Sequence, residues 1–424
     1  MFRSILHTVF TRGMAAVASL GIAIVLSQQL GAGGKGEQSL IITTIAMMML
    51  AANLLAGAAL VYLAPRFPLL RLLLPSAVWS LLTGAAAWVF LQLVPLVPSV
   101  WAADVALLTA LCALAGIFSN FLIGRERVPA ANLTSLLQPL LVLAWLGIPW
   151  ALKTELSIRD YVHGLYLAYG ISALSGIFFL RKEWRKPVEC ADITYRHIIR
   201  QMLEYGAMNQ MAHIFQLLSL RMGFYFLDHF SGTASLGQYS NAVAIMESVW
   251  LLSKSIAVVQ YARISNSNDP EYTRRLSLEL TRGTLALTAL AVLVIALMPS
   301  SLWVYVFGAE FGGLQPMMWA LAPGTLCYVL VLLLGHHFSG QGLYRYNTLA
   351  SLAGMPVALL ASLVLIPLWG AVGAALASGF SYAVSAGTAF HFFRRESPAS
   401  WRELLPGSKD VRRILTLLRS GRGT

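Results

Sequence analysis

Polar side chains recur at helical spacing in the stretch 205–221. One arc of about 160° on an α-helix holds Tyr205, Gly206, Asn209, Gln210, His213, Gln216 and Arg221. Amide, imidazole and guanidinium groups are hydrogen-bond donors that can bind hydroxyl groups and anions. Between apolar neighbours, each of these groups needs a partner or water. We therefore predict that this face lines a hydrated cavity, with a hydrogen-bonded seam between helices as the alternative.

A second polar stretch, 240–261, has a spacing of seven. Ser240, Glu247, Lys254 and Tyr261 share one helical face, on which Glu247 and Lys254 are separated by about 10 Å along the axis. If the two stretches form a hairpin, Arg221 and Glu247 can meet across it. We predict that Arg221 and Lys254 bind substrate and that Glu247 acts in coupling or gating; a purely structural Arg221–Glu247 ion pair is the alternative.

The first apolar stretch has a sparser polar face. Thr8, Arg12, Ser19, Ala23 and Ser27 lie on one side of the predicted helix. Arg12 is a further candidate for the substrate cavity. Because it is near the end of the stretch, its side chain could instead extend to the membrane interface.

Phosphate-binding and catalytic motifs are the remaining candidates for chemistry. Residues 31–36 match the G-x-G-x-x-G pattern and include Lys35, but they follow an apolar stretch rather than a strand. Lys35 is followed by Gly36 and not by the Ser or Thr of a phosphate-binding loop. No metalloprotease or serine-hydrolase motif is present. The sequence therefore predicts neither an enzyme nor a cofactor or metal site.

The composition is that of a membrane protein. Of the 424 residues, 58% are hydrophobic and only 11% are charged, with a mean hydropathy of +0.70. Soluble domains contain about 25% charged residues. Long apolar stretches recur throughout the chain, which is typical of a polytopic helical membrane protein.

Twelve membrane-spanning helices are predicted from these apolar stretches. They cover 5–30, 39–64, 71–94, 101–123, 130–152, 161–180, 197–227, 236–262, 277–298, 314–339, 346–366 and 371–393. The first stretch lacks a clean cleavage site for a signal peptide. With both termini in the cytoplasm, 25 of the 30 Lys and Arg residues fall on the cytoplasmic side. This bias explains most of the net charge of +12 without a nucleic-acid partner.

The chain divides into two halves of six helices. We predict an N-terminal lobe at 1–185, a cytoplasmic linker at 186–196, a C-terminal lobe at 197–396 and a basic tail at 397–424, either on the membrane surface or disordered. The halves show matching segments at Gly13 and Gly206, at Gly36 and Gly237, and at Asn132 and Asn347. Because each half has an even number of helices, the repeat is parallel, which suits alternating access by two lobes.

Several segments resemble the MOP flippase superfamily, and in particular its polysaccharide-exporting (Wzx-type) branch. They are "LGAGGKGEQS", "LGQYSNAVAIMESVWLLSKSIAVVQYARIS", "FGAEFGGLQPMMWALAPGTLCYVL" and the most specific, "IPLWGAVGAALA" at 366–377. The resemblance extends to about residue 396. It implies two six-helix lobes, with helices 1, 2, 7 and 8 around a central cavity.

The resemblance also implies a function. A flippase of this branch moves a lipid-linked oligosaccharide of the undecaprenyl-diphosphate type from the cytoplasmic to the periplasmic leaflet. The expected location is the bacterial inner membrane, and the expected partners are membrane lipids and glycan polymerase or assembly proteins, with the chain itself a monomer. The alternatives are a proton- or ion-coupled multidrug exporter, in which Glu247 or His213 exchanges a proton, and a non-transporting scaffold in a glycan-assembly complex.

Overall fold

The structure is a computed structural model that describes residues 2–184 and 194–404. Within these ranges, nothing is described of the side chains of residues 2–7, Val9, Met208 and Asn209. The regular structure of the described residues is helical throughout, with no strands. The all-helical prediction is therefore confirmed.

Twelve long helices follow one another in the described ranges. They are α1 (2–30), α2 (32–56, continued by Ala59–Leu63), α3 (Leu69–Leu93), α4 (Ala102–Gly124), α5 (Val128–Ala151), α6 (Ile158–Leu180), α7 (Tyr195–Ser231), α8 (Thr233–Ser248, continued by Trp250–Ser265), α9 (Pro270–Leu297), α10 (Leu314–Gly340), α11 (344–369) and α12 (371–396). Most match the predicted helices to within a few residues.

Two helices begin seven residues earlier than predicted. Helix α9 begins at Pro270 rather than at 277, because Asp269 caps it: its Oδ1 accepts hydrogen bonds from the backbone N–H groups of Glu271 and Tyr272, at 2.9 and 3.2 Å. Helix α2 begins at 32 rather than at 39, because the break after α1 is a single residue.

Nine continuous helical stretches in the described ranges are long and apolar enough to cross a membrane. They contain eleven of the twelve helices, since α1 runs into α2 and α11 into α12. The remaining helix, α7, falls short in hydropathy because of the polar face predicted from the sequence. The chain is therefore a multi-pass membrane protein.

Single glycines reverse the chain at three helix junctions. Gly31 (φ 66°, ψ −168°) separates α1 from α2, Gly232 (φ 82°, ψ 163°) separates α7 from α8, and Gly370 (φ 53°, ψ −130°) separates α11 from α12. Side chains on L-residues disfavour these conformations, so glycine is required there. Gly31 and Gly232 are 201 residues apart, the same offset as between Gly36 and Gly237 in the predicted repeat.

A second pair of contacts repeats at the same offset. The Nε1–H of Trp101, in the short 3-10 helix before α4, donates to Glu37 of α2. In the other half, Gln238 of α8 donates through Nε2 to the backbone oxygen of Glu310, in the 3-10 helix before α10, at 2.7 Å. Residues 37 and 238 are again 201 apart. Each half thus joins its second long helix to the 3-10 helix before its fourth, although the donors and acceptors differ and residues 101 and 310 are 209 apart.

The described helices form two compact units. Unit 1 is Met1–Ile214 and unit 2 is Phe215–Thr424. The boundary lies inside α7, whereas the sequence placed it in the linker 186–196. Most of that linker and residues 405–424 of the tail are outside the described residues, so the predicted lobe limits stay a prediction.

The first part of α7 packs on α2 within unit 1. A Cβ atom on Gly206 would come within 1.9 Å of the Leu54 backbone oxygen, so the two helices touch at this glycine. The rings of Tyr62 and Tyr205 are 4.4 Å apart, and their hydroxyls are 3.4 Å apart. Met202 is fully buried in the same core.

Candidate functional site

An ion pair joins α7 and α8 inside unit 2. The guanidinium of Arg221 donates to both carboxylate oxygens of Glu247, with Nη1–Oε1 and Nη2–Oε2 distances of 2.7 Å. The two side chains are only 23% and 22% exposed. The single-glycine turn at Gly232 makes α7 and α8 antiparallel neighbours, which allows the contact. The hairpin geometry predicted for this pair is therefore present, and its role stays open between substrate handling and structure.

Aromatic side chains pack together in the same unit as the pair. Tyr328 of α10 and Tyr382 of α12 have ring centroids 5.0 Å apart, and the Trp250 ring of α8 is tilted against that of Tyr328, with centroids 4.2 Å apart. The Arg221 guanidinium carbon is 5.2 Å from the ring centroid of Phe224, one turn further along α7.

Gln216 precedes Arg221 on α7. Its Nε2 donates to the hydroxyl of Tyr328 at 2.5 Å. The hydroxyl of Tyr239, on α8, forms a hydrogen bond of 2.9 Å with that of Ser378, on α12. Gln216 therefore has a protein partner, as the seam alternative requires.

Lys254 is an exposed cation of unit 2. It lies on the continuation of α8, inside the apolar stretch Thr233–Ser265, and its side chain is exposed. It forms no ion pair with any described residue. Its charge is thus available to a ligand.

The predicted site residues of unit 1 divide between buried and exposed positions. Gln210 is 5% exposed, and its Nε2 donates to the Leu50 backbone oxygen of α2 at 3.1 Å, so it belongs to a helix seam. His213 and Arg12 are exposed. The side chain of Asn209 is outside the described part.

The carboxylates of the apolar helices are mostly occupied by protein donors. Within the described ranges these contacts include Glu37 with Trp101, Asp104 with Tyr166 and Glu247 with Arg221. Glu279 of α9 is exposed but lies between Arg275 and Arg282 on neighbouring turns. The membrane-spanning helices thus present more free positive than free negative charge.

Lys35 is not in a loop, although the predicted helix bounds 5–30 and 39–64 place it between two helices. It is 6% exposed on α2, and its Nζ donates to Gln38 Oε1 at 2.8 Å and to Ser39 Oγ at 3.0 Å. Gln38 in turn donates to the Tyr161 hydroxyl at 3.0 Å. The lysine of the G-x-G-x-x-G match is therefore a packed side chain of a helical hairpin, not a phosphate-binding group.

Solved structures with the same fold are membrane transporters. The lipid II flippase MurJ, in an inward closed conformation, superposes with a TM-score of 0.74 at 12% identity, covering 94% of this chain and 88% of that one. An inward-facing multidrug resistance MATE family transporter of the MOP superfamily gives a TM-score of 0.71 at 15% identity, covering 91% and 96%. The chain has the fold of the MOP superfamily transporters.

A third structure with the MOP fold has a different pocket. It is a MOP superfamily transporter from Pyrococcus furiosus, described as having a binding pocket of reverse polarity, with a TM-score of 0.60 and 13% identity over 93% of this chain and 95% of that one. No family model and no curated protein matches the chain. These solved structures therefore show the fold of the chain, and a function for it depends on its own residues.

Proposed function

We propose that the chain is a flippase that moves a lipid-linked oligosaccharide of the undecaprenyl-diphosphate type from the cytoplasmic to the periplasmic leaflet by alternating access. The observation that carries the proposal is the exposed, unpaired Lys254 in a membrane-spanning stretch of unit 2. A cation in such a position is costly unless it has an anionic partner. A diphosphate headgroup would supply that partner through charge-assisted hydrogen bonds.

The charge balance supports an anionic substrate. Unit 1 has an exposed cation of its own, Arg12, within the stretch Phe10–Leu63. Glu247 is the carboxylate that a cation exporter would use, and it accepts hydrogen bonds from both terminal nitrogens of Arg221. A cationic drug would have to displace that guanidinium. The similarity to a MATE multidrug transporter therefore supports a drug exporter less than the similarity to MurJ supports a flippase.

A leaflet assay tests the proposal. The purified chain is reconstituted in vesicles with a fluorescent polyprenyl-diphosphate oligosaccharide, and a membrane-impermeant quencher reports how much probe reaches the inner leaflet. We expect Lys254→Ala to lower the flipping rate by roughly tenfold or more, because a charge-assisted hydrogen bond is lost. Lys254→Arg should keep most of the rate.

A matched control uses Arg263, an exposed cation near the end of the same helix. Arg263→Ala should flip the probe at the wild-type rate. Wild-type flipping by Lys254→Ala would refute the role of this lysine. Vesicles that flip no probe but expel a cationic dye would refute the flippase and favour the multidrug exporter.

A further inference from the structure

A row of hydroxyl groups runs along the buried face of α9. Thr273, Ser277, Thr281, Thr284 and Thr288 recur at intervals of four, four, three and four residues, and each is at most 2% exposed. The interval places them on one helical face over about 22 Å. Ser and Thr are small enough for close helix packing in a membrane, and their buried hydroxyls also need hydrogen-bond partners.

The neighbouring helices supply some of these partners. Gln260 of α8 is fully buried and donates through Nε2 to Ser277 Oγ at 3.0 Å. His337 of α10 is fully buried, and its Nδ1 is 2.8 Å from the same Ser277 Oγ. Farther along, Ser253 of α8 is 3.3 Å from Thr288. Three helices of unit 2 therefore share one polar seam.

Hydrogen positions in this seam follow from the donors available. Gln260 gives a hydrogen to Ser277 Oγ, so the Ser277 hydroxyl can give its own hydrogen to Nδ1 of His337. Nδ1 then accepts, and the neutral imidazole carries its hydrogen on Nε2. Ser277 thus connects an amide and an imidazole in one directed chain.

Four polar atoms of the seam have no hydrogen-bond partner among the described residues. They are Gln260 Oε1, His337 Nε2, Thr281 Oγ1 and Thr284 Oγ1. They include an acceptor, a donor and two hydroxyls that can do both, which is the mixture that buried water satisfies. Hydroxyls on successive turns are about 5–6 Å apart, the span of one water with two hydrogen bonds of about 2.8 Å.

We propose that His337 is a proton-binding site of unit 2 and that the water-bridged hydroxyl row conducts protons between it and the middle of the membrane span. Histidine is one of the ionisable residues that form proton relays in membrane pumps and transporters. The coupling of this proton to transport rests on the proposed function. The site itself does not.

Proton uptake rearranges only O–H and N–H bonds. A hydronium ion and the neutral imidazole become water and an imidazolium whose new hydrogen is on Nδ1. Nδ1–H then donates to Ser277 Oγ, which still accepts from Gln260. The Ser277 hydrogen turns to the helix carbonyl one turn back, a position that serine hydroxyls occupy readily.

One carboxylate acts against the cost of charging this ring. Burial of His337 opposes its protonation, whereas the negative charge of Glu396, at the end of α12, favours it. The Oε1 of Glu396 accepts a hydrogen bond from the Tyr346 hydroxyl at 2.6 Å, and Arg345 donates to that hydroxyl at 3.2 Å. The hydrogen-bonding groups that α8 and α9 place beside His337, Gln260 and Ser277, are neutral. Glu396 is thus the anion that offsets part of the cost of a charged His337.

The decisive measurement is the steady-state distribution of the fluorescent polyprenyl-diphosphate oligosaccharide between leaflets under an imposed pH difference. One pH unit is worth a factor of about ten for each coupled proton. We expect the wild type to build an uneven distribution approaching that factor, and His337→Gln to give an even one. His336→Gln is the matched control, because His336 is half-buried and its Nδ1 is hydrogen-bonded to the Leu332 backbone oxygen of its own helix, outside the hydroxyl row. It should behave as wild type.

The hydroxyl row has its own variants. Thr281→Val with Thr284→Val keeps the shape but removes two hydroxyls, so the distribution should develop more slowly. Thr281→Ser with Thr284→Ser should restore the wild-type time course. An uneven distribution built by His337→Gln, or an even one in the wild type, would overturn the proposal.

Nitrogen-15 imidazole spectra of the wild-type protein give an independent reading. The His337 resonance should change from the neutral to the protonated form as the pH falls. A His337 signal that never titrates would overturn the proton site whatever the vesicles do. If His337 titrates but the wild type flips no probe, the proton site stands and the proposed flippase fails.

Discussion

The Arg221–Glu247 pair offers the sharpest test of how unit 2 is held together. Each partner is less than a quarter exposed, and two hydrogen bonds of 2.7 Å join them. Removing one partner of a buried pair leaves the other charge uncompensated and costs about 3–5 kcal/mol. Because the pair retains some exposure, we expect Glu247→Gln and Arg221→Gln each to cost about 3 kcal/mol, or roughly a hundredfold in the folding equilibrium.

A double-mutant cycle measures this interaction. Equilibrium unfolding of the purified protein in mixed micelles, followed by tryptophan fluorescence, gives the free energy of each variant. The double variant Arg221→Gln/Glu247→Gln removes both charges, so its cost should be below the sum of the single costs by about 2 kcal/mol. Additive single costs below about 1 kcal/mol would refute the buried pair.

The control pair lies on the same helix. Arg200 and Glu204 are one turn apart near the start of α7, 2.8 Å between Nε and Oε1, but they are 79% and 56% exposed. The same cycle on this pair should give less than about 1 kcal/mol.

Flipping by the double variant Arg221→Gln/Glu247→Gln then decides the role of the buried pair. Restored stability with normal flipping means a structural bridge, and restored stability without flipping means a part in the transport cycle.

Three further changes test the fold. Gly206→Ala should destabilise unit 1 by about 3 kcal/mol or prevent folding, because its Cβ would clash with the Leu54 oxygen. Gly232→Ala should cost about 1–3 kcal/mol from backbone strain alone, since nothing lies within 4 Å of a Cβ there. The Ser400 backbone N–H donates to Glu403 and holds the pKa of its carboxyl below the ordinary value. The segment 397–404 should therefore stay docked above the ordinary glutamate pKa and loosen as the pH falls through the lowered pKa.

Each of these changes has a control. Gly147→Ala and Gly283→Ala add a methyl group where nothing lies within 4 Å and the backbone is helical, so both should unfold like the wild type. Docking of 397–404 can be followed through Trp401, whose ring centroid is 3.8 Å from that of Phe390. In Glu403→Gln, the pH response of Trp401 fluorescence should disappear. A retained response would contradict the assignment to Glu403.

Helix positions and the duplication could be predicted from the sequence because the membrane imposes them. Apolar length and the charge bias located the helices, and the glycines at 31 and 232 are where the chain was expected to turn. The predicted length of the first turn was wrong. The glycine-rich segment suggests a loop, yet one residue of positive φ completes the reversal and the rest, Lys35 included, is helix.

The candidate site was only partly predictable. A polar helical face predicts that partners exist but not which they are, and the face of α7 proves mixed. Gln210 and Gln216 are bonded to α2 and α10 within their own units, while His213 is exposed. His337 is not among the site residues predicted from the sequence. The signal that could have revealed it is the run of Ser and Thr at helical spacing in α9.

The one-residue turns also decide where the molecule can be labelled. Among the described residues, the junctions at Gly31, Gly232 and Gly370 offer no loop for a protease to cut or for an epitope to occupy. Insertions there would have to unwind the ends of two helices. Segments 94–98 and 152–157 lie between described helices, and a tag or an antibody fragment could be attached there without disturbing a long helix.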